Sequence, residues 1–289
     1  MKRIFKGLFL IGLVLMLSTS CIKRDDMENI NIYTTIYPIN YIIERLYGNY
    51  STINSIYPTG VDIDNYEFTD KQLNDFSEGT LFIYNGLSNE KQVARKLINI
   101  NRELKIIDVA YGLKNEYGDD DSSELWLSPN NYLMLATTLK NNLIDYIDNN
   151  YIKDEIEKNY KKLQEELSLI DAEMRTIASS SQQKGKNTIV VAQNSLKYLE
   201  NYGFTVISLE DSKNYTNQLK ANFDSETYKY IFSLDGKTND KVDDLVKNHK
   251  AQIVKVNTMK VLSEEEEKNN EDYINITRTF IKNLSDVVL

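Results

Sequence analysis

Four residues dominate the binding chemistry this chain can offer, and all are oxygen donors: Asp64, Glu124, Gln193 and Asn257. Each falls at or after the carboxyl end of a segment whose pattern predicts a β-strand, two in each half of the chain. In open α/β sheets ligands bind in the crevice outside those strand ends, so the four are candidates to face one another across a cleft. Asp64 lies in Tyr57-Pro58-Thr59-Gly60-Val61-Asp62-Ile63-Asp64-Asn65-Tyr66-Glu67-Phe68-Thr69. That stretch leaves the alternation of Ile53, Ser55 and Tyr57, breaks at Pro58 and Gly60, and returns to helical spacing at Thr69. Each of the four also has an ordinary structural use: Asp64 in an Asx-turn, Glu124 and Gln193 near helix starts, Asn257 in a turn.

Other chemistry finds little support. The chain has no nucleophile-elbow pattern, no phosphate-cradling glycine loop and no histidine for a triad, so an enzyme is not expected. Its one histidine, His249 in Lys247-Asn248-His249-Lys250, ends a polar helical segment, where a cation suits the helix dipole. Asp235, in Leu234-Asp235-Gly236, reads equally as a stand-in ligand and as an Asp-Gly turn.

The elements that must position these residues alternate strand and helix. Strands are predicted at 31–36, 52–57, 80–84 and 105–109, with helices at 39–47, 69–76 and 89–99 between them; strands return at 188–192, 205–209, 228–234 and 252–256, followed by a helix over 263–284. Such alternation with short connections predicts an α/β fold in two lobes, each a four-stranded, mostly parallel sheet flanked by helices. Between the lobes Ile152, Ile156, Tyr160, Leu163, Leu167, Ile170, Met174 and Ile177 recur at spacings of four and three. This stripe predicts one helix over 151–178, roughly 40 Å long at 1.5 Å per residue, bridging the two lobes; a short coiled-coil dimer is the alternative. The organisation expected is 1–20 leader, 21–29 tether, 30–149 N-terminal lobe, 150–180 linking helix and 181–289 C-terminal lobe.

With 289 residues, 41% of them hydrophobic, the chain is long enough for two real cores. A net charge of −9 and no basic block beyond the N-terminus argue against nucleic acid as a partner. Met1-Lys2-Arg3, an apolar run over 7–17 and Ser18-Thr19-Ser20 before Cys21 read as a signal peptide, with an apolar run too short to span a bilayer well. Cys21 is the only cysteine, which rules out an internal disulfide, and its position resembles a bacterial lipobox with Ser18 where Leu is usual. A lipid anchor at Cys21 on the outer face of the cell membrane is expected.

The Tyr57–Thr69 stretch resembles the P-x-G-V-D-P-H-E-Y-E-P-T segment of the solute-binding lipoproteins of zinc and manganese ABC importers. Thr34-Thr35-Ile36-Tyr37-Pro38 and Tyr84-Asn85-Gly86-Leu87 resemble that family's flanks, Leu125-Trp126-Leu127-Ser128-Pro129 its D-P-H-x-W-L-S-P, Ala192-Gln193-Asn194-Ser195-Leu196-Lys197-Tyr198 its S-H-D-A-F-G-Y, and Val256-Asn257-Thr258-Met259 its L-D-P-L. The resemblance covers most of the chain beyond the leader. It implies a long backbone helix between two lobes, an ABC permease as partner, a monomer, and metal-ligand positions at Asp64, Glu124, Gln193 and Asn257. It also implies a metal-recruiting loop at Asp119, Asp120 and Asp121, where zinc-importing members carry histidines and acids; a solvated acidic loop is the plainer reading.

Every imidazole of the family's ligand set is replaced here. Zinc prefers nitrogen and sulfur donors, whereas two carboxylates and two amides suit Mn²⁺, Mg²⁺ or Ca²⁺ better. The expected function is an importer's substrate-binding lipoprotein, with a divalent ion, Mn, Zn or Ca, as transported ligand and zinc doubtful. The alternatives are a ligand-free surface or adhesion lipoprotein that keeps the fold, and a binder of an organic cation or siderophore.

Overall fold

The computed structural model describes residues 27–88, 90–113 and 124–289. The leader, Cys21, most of the tether and the acidic residues Asp119, Asp120 and Asp121 lie outside the described residues.

The first four strands are β1 (Ile30–Thr34), β2 (Ser51–Ser55), β3 (Leu81–Tyr84) and β4 (Lys105–Asp108), connected by α1 (Tyr37–Tyr47), α2 (Asp70–Ser77) and α3 (Glu90–Ile100). They form one parallel sheet in the order β2-β1-β3-β4, with Ile32 opposite both Ile53 and Leu81. All four residues of β3 are buried, as expected of a strand covered on both faces. The second half repeats the plan: β5 (Thr188–Val191), β6 (Thr205–Ser208), β7 (Tyr230–Leu234) and β8 (Gln252–Val256) form a parallel sheet ordered β6-β5-β7-β8. Helices α6 (Asn217–Asp224) and α7 (Asp240–Asn248) follow β6 and β7. In both sheets the chain reverses its direction of travel beside the first strand, which leaves a crevice at the carboxyl ends of β1 and β3, and of β5 and β7.

The linking helix, α5 (Asn150–Gln183), is 34 residues long, roughly 50 Å at 1.5 Å per residue. It starts where the Asn149 side chain accepts from the amides of Tyr151 (3.0 Å) and Ile152 (3.4 Å). The predicted stripe is buried from Ile152 to Met174, then passes to Ala178 and Ser181 while Ile177 is only partly covered. It packs against α1, against α4 (Pro129–Tyr146), and against the last helix, α9 (Tyr273–Val288), so its apolar face is spent inside this chain. One continuous core therefore runs from Ile32 through Leu167 to Phe280. The Arg45 guanidinium fastens α1 to α5 with two parallel hydrogen bonds of 2.9 Å to the Glu166 carboxylate.

Two elements depart from the sequence expectation. Helix α4 was not foreseen, although Pro129 at its first turn and buried Tyr132, Leu135, Ala136, Leu139 and Leu143 spell an amphipathic helix. The single predicted C-terminal helix is two, α8 (Glu264–Lys268) and α9, because Asn270 adopts φ 52° and Asp272 opens a new helix by accepting from the Asn275 amide at 2.8 Å.

Candidate functional site

The loop after β2 holds Asp64 in a short 3-10 turn, Ile63–Asn65. The Asx-type contact expected of Asp64 is made by Asp62, whose Oδ1 accepts from the Asp64 amide at 3.2 Å and whose Oδ2 accepts from the Asn65 side chain at 2.7 Å. That arrangement releases the Asp64 carboxylate toward the other lobe. Its Oδ1 lies 3.1 Å from Lys260 Nζ and its Oδ2 3.1 Å from Lys237 Nζ. Burial pushes its pKa up, but the two ammoniums outweigh that effect and hold it below the usual carboxylate range.

Glu124 immediately precedes the 3-10 turn Leu125–Leu127, whose three residues are buried. Its side chain is 10% exposed; Oε1 stands 3.3 Å from the same Lys260 Nζ, and Oε2 accepts from the Ser195 hydroxyl at 2.7 Å. One ammonium thus sits between two carboxylates that lie 60 residues apart in sequence (124 − 64). Burial works against the charge on Lys260, yet the Glu124 and Asp64 carboxylates raise its pKa above that of an ordinary lysine.

The other two predicted positions are committed elsewhere. Gln193 spans the β5/β7 crevice: its Oε1 accepts from the Leu234 amide and its Nε2 donates to the Lys237 carbonyl, both at 2.9 Å. Asn257 Oδ1 accepts from the Met259 amide at 2.8 Å, and its Nδ2 donates to Glu266. Both use their amides to hold turns, which is what Asn and Gln do well when backbone groups at strand ends need partners. Asp235 is likewise engaged, accepting from the Thr258 amide (3.0 Å) and hydroxyl (2.6 Å). His249 caps α7 and faces Asp224 at 3.0 Å. Among the described residues, no group of three or more His, Cys, Asp or Glu side chains is arranged to hold a metal ion.

The segment carrying Lys260 is pinned against the N-terminal lobe. The Tyr37 amide donates to the Lys260 carbonyl (2.9 Å), the Gly60 amide to the Leu262 carbonyl (2.9 Å), and the buried Trp126 indole to the Thr258 carbonyl (2.7 Å). Beside the acid pair lies a cavity of about 960 Å³, lined by Tyr57, Asp64, Phe68, Glu90, Trp126 and Lys260 among others. Its floor is the β1/β3 crevice, where Glu90 accepts from the Thr35 hydroxyl and, at 3.0 Å, from the Asn85 amide. Gly86 approaches Asp108 closely here: its amide donates to Asp108 Oδ1 at 2.8 Å, and a Cβ would displace that carboxylate.

Sequence reasoning missed Lys260, Lys237, Ser195 and Glu90. The lysines lie three residues after Asn257 and two after Asp235, in loops already marked as strand ends, and that position was the available signal.

Comparison with known proteins gives a consistent set of likenesses. A family model described as the periplasmic zinc-uptake complex component A, ZnuA, matches residues 32–287. The zinc-binding lipoprotein AdcA of Streptococcus pneumoniae is 24% identical over 311 residues, covering 98% of this chain, which spans only 60% of AdcA. The manganese-binding lipoprotein MntA of Halalkalibacterium halodurans is 23% identical over 220 residues, covering 70% of this chain and 69% of that protein. The crystal structure of the metal-dependent lipoprotein YcdH of Bacillus subtilis superposes with a TM-score of 0.76 at 20% identity, covering 90% of this chain and all of that one.

Proposed function

We propose, from the premise that this chain belongs to the family of the periplasmic zinc-uptake complex component A, that it is the lipid-anchored, extracytoplasmic binding component of an ABC importer. Its cargo in this reading is a divalent metal ion, received in the cleft between the lobes and passed to a membrane permease. The observation that carries the reading is the convergence of the Asp64 and Glu124 carboxylates on one point, occupied by an ammonium 3.1 Å and 3.3 Å away. A point where two carboxylates meet at the carboxyl ends of parallel sheets suits a cation, and two negative charges match a divalent one. The donors are oxygens, so Mn²⁺ competes there on better terms than at an imidazole site. Gln193 and Asn257 reach the ion only if their present hydrogen bonds to Leu234, Lys237, Met259 and Glu266 rearrange. Attachment to the membrane in this reading is through a lipid on Cys21; no helix among the described residues is long and apolar enough to cross a bilayer.

A second reading, a ligand-free surface lipoprotein that keeps the fold, draws support from the same geometry: Lys237 and Lys260 already neutralise Asp64. Thermal melting of chelator-stripped protein separates the two. A binder gains about 2.7 kcal/mol at a hundredfold its Kd, so Mn²⁺ or Zn²⁺ is expected to raise the melting temperature. A melting temperature unmoved by millimolar Mn²⁺, Zn²⁺ and Ca²⁺ favours the ligand-free scaffold.

A further inference from the structure

We infer that the Lys260 ammonium is a tethered competitor for the cargo position, a built-in cation that occupies the space between Asp64 and Glu124 until a divalent ion displaces it. The inference rests on the reading of this acid pair as the metal site.

Three observations carry it. The Lys260 side chain is 23% exposed and its Nζ lies 3.1 Å from Asp64 Oδ1 and 3.3 Å from Glu124 Oε1, so one charge serves two carboxylates at once. Its backbone is immobilised by the hydrogen bonds of Tyr37, Gly60 and Trp126 to the 258–262 segment, which aims the stem at this point. Lys237, by contrast, is 64% exposed and pairs with Asp64 through Oδ2 alone, so solvent readily replaces it.

The chemistry follows from charge and volume. An ammonium offers three donors and one positive charge, and a metal ion needs the same carboxylate lone pairs, so the two exclude each other. The four-carbon stem is flexible, and the cavity of about 960 Å³ that Lys260 also lines gives the ammonium somewhere to go. Binding of a divalent ion therefore breaks two charge-assisted contacts before forming its own, and affinity is lowered by that competition. Removing the ammonium takes away the positive charge that the two carboxylates share, while Glu124 keeps its hydrogen bond from Ser195, so an external cation meets no tethered rival there.

The test is calorimetry with Mn²⁺ and Zn²⁺ on the chelator-stripped mature protein, alongside melting without metal to establish that each variant is folded. Lys260→Met is expected to bind at least tenfold tighter than the wild type, Lys260→Arg no tighter, and the double variant Lys260→Met/Asp64→Asn is expected to lose the gain. Should the Met variant not fold, Lys260→Gln keeps a donor for Glu124 and carries the same expectation. If the wild type binds and neutral variants bind equally or more weakly, the competitor role is overturned while the metal site stands. If neither the wild type nor the neutral variants bind any divalent ion, the metal site itself is wrong and the competitor falls with it.

Discussion

Replacing Leu167 by Asp is expected to melt both lobes together and to cost more than about 3 kcal/mol. Leu167 is 1% exposed at the middle of α5, in the one core that joins Ile32 of the first sheet to Phe232 of the second. A carboxylate there has no cation within the apolar stripe, so it either stays charged and unpaired or binds a proton, and both disfavour folding. Because α5 packs on α1 and α4 from the first half and on α9 from the second, its loss removes a wall from each lobe. Glu165→Ala, two positions earlier on the exposed face, is the control and is expected to shift stability by no more than about 0.5 kcal/mol. Denaturant unfolding followed by circular dichroism and by fluorescence of the lone tryptophan, Trp126, checks this. Two separated transitions in the Leu167→Asp protein would count against a shared backbone helix.

The second large effect is in pH. Glu90 opens α3 with 4% exposure, and burial pushes its carboxyl up to about 7 despite the downward pull of the Thr35 hydroxyl and the Asn85 amide. The folded protein therefore holds this proton over a range in which the unfolded chain has released it. The stabilisation is fully present below the ordinary value of 4.5 and is lost as pH rises through about 7. At 1.36 kcal/mol per unit of pKa difference, the loss is on the order of 3 kcal/mol. Glu90→Gln, neutral at every pH and still an acceptor for the Asn85 amide, is expected to lack that slope and to be the more stable protein at pH 8. The difference between the two stability curves isolates Glu90 from Asp64, whose lowered pKa adds stability above its unfolded value and loses it as pH falls through the folded one. Parallel curves between pH 4.5 and 8 would contradict the burial of an ionisable carboxyl at this crevice.

Much of the scaffold was readable because its signals are local. The stripe from Ile152 to Met174 identifies its helix by spacing alone, and short apolar runs such as Leu81–Tyr84 between turn residues identify buried strands. The break between α8 and α9 was hidden because helix formers fill 264–268 and helical apolar spacing resumes at Tyr273, and only Asn270, with its left-handed backbone, and the Asp272 cap mark the interruption. The site was legible as positions and not as partners. Asp64 lies in the 3-10 turn of the loop after β2 and Glu124 just before the turn Leu125–Leu127, but Lys237 and Lys260 reach Asp64 from 173 and 196 residues away, and ion pairs at that separation leave no mark on neighbouring sequence. Gln193 and Asn257 illustrate a further limit: a side-chain amide at a strand end serves a ligand or a turn equally well, and only the observed bonds to Leu234, Lys237 and Met259 distinguish the two.

Equilibrium calorimetry of the chelator-stripped wild type beside Asp64→Asn and Glu124→Gln tests the acid pair as the cargo site most directly. The expected result is one divalent ion per chain, with Mn²⁺ at least comparable to Zn²⁺ and a zinc Kd on the order of micromolar or weaker, and with binding lost in both variants. Nanomolar zinc binding that survives both substitutions would contradict the assignment.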